Sequence, residues 1–132
     1  MRLLGLAAAV LLTSVIAAPA IAEDLLKPGD TISGRLRFFQ HQHPNGTWIN
    51  VYQLTSDNPR KFAQDDDFCD PKSPPVTFHL LVMNDKAKKA RLDRLLDKKI
   101  AVVADTFFCS ETAWHVGDAV LSEWHFAEPA QR

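Results

Sequence analysis

The chain has 132 residues, with 16 acidic against 15 basic side chains and a formal charge of −1. That balance offers no global attraction for nucleic acid or an anionic membrane, and the length leaves room for one small domain. A core of that size is modest, so additional stapling is expected.

Residues 1–22 read as a secretory signal peptide. Arg2 supplies the positive start, Leu3 to Ala18 the apolar segment, and Ala20-Ile21-Ala22 a small-residue cleavage site followed by Glu23-Asp24. The rival reading, a transmembrane anchor, is interrupted by Thr13, Ser14 and Pro19. With no cysteine near Ala22 there is no lipoprotein box. The expected product is a domain over 23–126 with a C-terminal tail, 127–132, periplasmic or secreted and without stable membrane insertion after cleavage. Removing Arg2 leaves 14 basic against 16 acidic side chains.

Leu25 to Gly29 is a lead-in punctuated by Pro28-Gly29. From Thr31 the pattern alternates, with Ile32, Gly34, Leu36 and Phe38 on one face and Ser33, Arg35, Arg37 and Phe39 on the other. Gly34 inside this first strand marks a bend. Pro44-Asn45-Gly46 is a turn, and Trp48 to Leu54 a second strand. Thr55 to Pro75 is a long loop rich in Asp, Pro and Ser, of the kind that is functional or mobile. Val76 to Met83 is a third strand. Asn84 or Asp85 caps a helix running to about Leu96, with Leu92, Leu95 and Leu96 as its buried stripe. Ile100 to Phe107, continuing to Cys109, and Val120 to Phe126 are two further strands around the Ser110–Ala113 turn.

The order β-β-β-α-β-β, mainly β with one helix, predicts a five-stranded OB-fold-like barrel. In that topology the fifth strand lies beside the third and the fourth, which brings the loop before strand three to the end of strand four. Cys69 and Cys109 occupy those two places. An even pair in an oxidising compartment is expected to be bridged, closing a loop worth about 4 kcal/mol on the chain-entropy estimate. A two-cysteine metal site would lack the usual C-x-x-C pair.

Leu54, Cys69, the run Leu96-Asp-Lys-Lys-Ile-Ala-Val, Thr106-Phe107, Thr112-Ala-Trp-His115 and Val120-Leu121 resemble a secreted bacterial family, domain of unknown function 4431. The resemblance covers roughly Tyr52 to Phe126. It departs at Asp97 and Ala104, where the family has glycine, and at Trp114-His115, where the family pairs histidines. It implies an OB-like secreted domain and carries no activity over.

Three sets of residues are candidates for function. Arg35, Arg37, Phe39, Trp48 and Tyr52 offer an aromatic platform with positive borders, suited to a protein, peptide or glycan partner. Nucleic acid fits poorly with a slightly negative exported chain. His41, His43 and His115 lie in loops that flank the OB groove and offer zinc or copper ligands. His79 and His125 read as partly buried strand residues. Lys86 to Lys99 carries seven basic and two acidic residues and is expected to be solvated on its outer face. The Asp65-Asp66-Asp67 and Asp70 cluster reads as a solvated loop. Ser110 or Glu111 near His115 can be drawn as a catalytic pair, but no nucleophile-elbow, phosphate-loop or metalloenzyme motif accompanies them.

The expected function is therefore a non-catalytic binding module, not an enzyme, with no cofactor. One alternative is a small metal-binding protein or metal-dependent hydrolase. Another is an exported effector-like factor acting on another cell.

Overall fold

The computed structural model describes residues 24–128, together with residues 5, 9, 10, 12 and 14–16 of the N-terminal segment. Most of the expected signal peptide and residues 129–132 of the expected tail lie outside the described residues. No described helix is long and apolar enough to cross a membrane.

Five strands and one helix follow in the expected order: β1 (Asp30–Gln42), β2 (Trp48–Ser56), β3 (Thr77–Leu80), α1 (Lys86–Arg94), β4 (Lys99–Cys109) and β5 (Ala119–Phe126). The strands close into a barrel in the order β1-β2-β3-β5-β4, with β4 returning to β1. All neighbours are antiparallel except β3 and β5, which run parallel. This is the OB-like arrangement expected from the sequence.

β1 makes closure possible because it pairs on both sides. Gly34 faces Ser56 of β2 and Ile100 of β4. A Cβ at Gly34 would lie 2.1 Å from the carbonyl oxygen of Thr55, so only glycine fits where the strand bends across its neighbour. Ile32, Leu36, Leu54, Phe78, Val102 and Leu121 fill the interior without measurable exposure. Phe38, expected on this inner face, emerges to 41% exposure beyond the point where β4 leaves β1.

The nine residues of α1 are too few to hold a helix unaided. Asp85 is the N-cap, its carboxylate accepting from Lys88 N at 2.9 Å, worth about 1 kcal/mol. Leu92 is fully buried, while Leu95 and Leu96 pack partly buried against the core. Most of the helix's basic residues are exposed, as expected, but two of them also meet the barrel. Lys88 sits 4.1 Å from the Trp124 ring centre and Arg91 4.0 Å from that of Phe126. Cation–π attraction and covered side-chain stems thus dock the helix on one end of the barrel. After it, Asp97 takes φ 63, a left-handed conformation that short polar side chains tolerate. Its N–H donates to Leu36 O at 2.8 Å, returning the chain to β1.

The other end is closed by two segments that composition marked as irregular. In the lead-in, Leu26 is fully buried and bridges to Phe62 of the long loop. Phe62 meets Phe107 edge-on at 4.7 Å. Asp66, expected in a solvated loop, accepts from Cys109 N at 2.8 Å. Cys69 and Cys109 form the expected disulfide, with Cα atoms 5.3 Å apart. The long loop is therefore a plug tied down at several points.

Two stability measurements test this account. Gly34→Ala should lower unfolding free energy by about 2–3 kcal/mol in urea titrations, as overpacking against backbone does; an unchanged midpoint would remove the close approach as a constraint. Cys69→Ser should cost about 2–5 kcal/mol under oxidising conditions, and dithiothreitol should shift the parent protein towards the variant while leaving the variant unmoved.

Candidate functional site

OB barrels usually present the outer face of strands two and three to ligands. Here that face is covered by the protein's own β4–β5 loop, residues 110–118. Two polar side chains of the sheet hold it. Gln53 Nε2 donates to Val116 O at 3.1 Å, and His79 Nδ1 accepts from Val116 N at 3.0 Å. Asp118 secures the start of β3, its Oδ2 accepting from Val76 N and Thr77 N at 2.9 and 3.1 Å. Gly117 has φ 132, and a Cβ there would press on Gln53 and Thr77 at 3.1 and 3.2 Å. No buried side-chain nitrogen or oxygen among the described residues lacks a hydrogen-bond partner, as a stable polar layer requires.

At its outer end the loop meets the β1–β2 turn. Trp114 stacks on His43 with ring centres 3.9 Å apart. Beside this contact, where β3 ends, lies an open groove of about 410 Å³ lined by Ile49, Asn50, Tyr52, Val82, Met83 and Trp114, with Lys89 also at its wall. Met83 is 80% exposed and Trp114 46%. The groove's polar corner is a three-residue cluster. The Tyr52 hydroxyl donates to Asp93, whose other oxygen accepts from Lys89 Nζ at 3.0 Å. Burial, then the bond to Asp93, raises the Tyr52 pKa above its ordinary value. The same bond holds the Asp93 carboxyl below the usual range, and Asp93 in turn raises Lys89.

The candidates named from sequence are distributed differently. Register puts Arg35, Arg37 and Phe39 opposite Thr55, Gln53 and Val51, on the outer side. Tyr52 and Trp48, opposite Phe38 and Gln42, point to the other side. The five therefore do not make one platform. Arg35 donates to Asp97 O at 2.6 Å, Arg37 lies over Phe39, and Tyr52 is buried against Phe38. Tyr52 alone of the five lines the groove, and Trp48 stands 61% exposed nearby on the same strand.

His41, His43 and His115 are not gathered into a ligand set. Among the described residues, the one group of three ligand-type side chains within 4.8 Å is Asp66, Cys69 and Cys109, and both of its sulfurs are bonded to each other. His43 is engaged with Trp114, while His115 Nδ1 accepts from Glu111 N at 3.0 Å and its ring packs on Phe108. Ser110 Oγ donates to Gly117 O at 2.6 Å, so Ser110 and His115 are committed to the loop backbone. His79 is buried as expected; His125 is instead exposed and pairs with Asp105 at 2.6 Å.

Sequence reasoning missed Met83 and Trp114 as groove residues, and Asp93 with Lys89 as its polar corner. The signal for the last two was present, since Lys89 and Asp93 stand at i, i+4 on a helix. Their approach to Tyr52 depends on how the helix docks.

His79 gives this site a pH dependence. Its burial, with a smaller contribution from nearby His115, lowers its pKa from 6.5 to about 4. Because the folded value lies below the unfolded one, the stability contributed by neutral His79 is fully present above about pH 6.5. It is lost as pH falls towards 4, and amounts to about 3 kcal/mol for the whole shift. Urea unfolding of the parent and His79→Gln at pH 7 and pH 4 should show the gap between them narrowing at the acidic value; a gap independent of pH would contradict the burial of a neutral imidazole. Comparison with family models, curated proteins and solved structures gives no match for this chain.

Proposed function

We propose that the protein is a non-catalytic binding module, periplasmic or secreted, that takes a protein, peptide or glycan partner in the groove beside Trp114. The observation carrying this reading is the groove itself. It joins exposed apolar side chains, Met83 and Trp114, to a fixed polar corner at Tyr52, Asp93 and Lys89. Apolar walls with a few oriented polar groups are the common composition of recognition sites. Large exposed apolar side chains close together on a small domain are also costly to keep unless something covers them.

Further considerations support the reading. The Cys69–Cys109 bridge fits an oxidising compartment, as does the signal-like pattern of residues 1–22. The resemblance to the secreted family, domain of unknown function 4431, points to the same compartment. The engagement of Ser110 and His115 with loop backbone favours binding over turnover, and near-neutral charge argues against nucleic acid.

Glycan and peptide arrays probed with the purified protein and with Met83→Asp provide the test. A ligand of the parent should bind the variant at least about tenfold more weakly, or about 1.4 kcal/mol, with the melting temperature unchanged because Met83 touches solvent. Ligands held equally by the parent, Met83→Asp and Trp114→Ala would place recognition elsewhere and sink the groove as the site.

A further inference from the structure

The groove borders an open sheet edge. β1 accompanies β2 out to the pair Gln42–Trp48, whereas β3 accompanies it only from Thr55 to Tyr52. Past Leu80 the chain turns away, with Leu81 N donating to Leu121 O at 3.1 Å. Trp48 to Val51 therefore have a ladder partner on one side, and no described residue pairs with them on the other. Ser56 N donates towards β3, to Val76 O, and Asp57 N donates towards β1, to Ser33 O. Backbone groups alternate sides along a strand. Counting back in twos from Ser56, the N–H and C=O of Asn50 and Trp48 point into the open edge.

That edge is unguarded. Natural sheets blunt exposed edges with lysine, proline or a bulge, yet Trp48-Ile49-Asn50-Val51 contains no charge and no proline, and its register with β1 is unbroken. Only an extended chain can satisfy a row of backbone donors and acceptors, so the edge selects the class of partner. Side chains of an added strand would alternate. One set would meet Ile49 and Trp114 on the outer side, the other Asn50 and the Tyr52–Asp93–Lys89 corner.

We propose that the protein captures an extended peptide segment as an added strand along Trp48–Val51, with every second side chain apolar and seated against Ile49 and Trp114. This rests on the groove being the binding site and names the ligand class and the mode of capture. A second copy of the chain is the competing occupant. Four edge residues span about 13 Å, enough for a short peptide but far from the ~800 Å² per partner of a stable dimer interface.

A displayed library of short random peptides, selected on the purified protein, should yield sequences with apolar or aromatic residues at alternate positions. A synthetic peptide from that selection should bind Asn50→Pro at least tenfold more weakly than the parent. The Asn50 N–H faces the open edge, so proline there removes no backbone bond to β1. It removes only the exposed side-chain bond that Asn50 Oδ1 accepts from Gln40 Nε2 at 3.0 Å, so melting should fall only slightly. Amide exchange at Trp48 and Asn50 of the parent should slow on saturation with peptide; this second measurement decides the matter should Asn50→Pro fail to fold. Selected peptides that bind without protecting those amides, and equally to Asn50→Pro, would overturn strand addition while leaving the groove as a site. Edge amides already protected in a protein that sediments as a dimer would assign the edge to a second copy instead. A selection that returns nothing would overturn the peptide as ligand class, with glycan binding in the groove still measurable on its own.

Discussion

One short contact governs the architecture: the backbone of Gly34 against the carbonyl of Thr55. β1 has to serve β2 with one edge and β4 with the other, and the two partners meet it at the same residue. A side chain there would hold the strands apart. With it absent, β4 returns beside β1 and β5 falls between β4 and β3. Cys109 is thereby delivered to Cys69 across the barrel mouth. The disulfide follows from the closure.

The second organising constraint is the satisfaction of polar groups on a covered sheet. Gln53 and His79 would be costly to bury unpaired, and both find partners in the backbone of Val116. They exchange water for a loop. That exchange closes the middle of the face that OB barrels commonly offer to ligands and moves the open surface to the place where β3 stops. The groove, its apolar walls and its free strand edge are thus products of a short third strand and a long final loop acting together.

Much of the fold was legible because its signals are local. Alternation located the strands, Pro44-Asn45-Gly46 the turn and Asn84-Asp85 the cap to within one residue, and the element order then dictated the pairing of the cysteines. The third strand was expected to reach Met83 but ends at Leu80, the last of its residues to pair with both β2 and β5. The site was far less legible. Arg35 and Tyr52 belong to attractive side-chain types, yet the register sets them on opposite sides of one ladder. Leu26 and Phe62 sit in segments whose composition reads as irregular, and both are core. Such residues are placed by long-range contacts that no local pattern records.

The parallel pairing of β3 with β5 and the return of β4 to β1 also bear on how the chain folds. The β1–β2 hairpin can form as soon as Ser56 is available, while Gly34 must wait for Ile100 and Phe78 for Ala119. Contacts so distant in sequence place closure late and make it slow, as is general for barrels with high contact order. Until β4 arrives, β1 holds a second bare edge at Asp30–Arg35 beside the apolar interior. The full-length chain is therefore most prone to mispairing in the interval between making its first hairpin and completing its fourth strand.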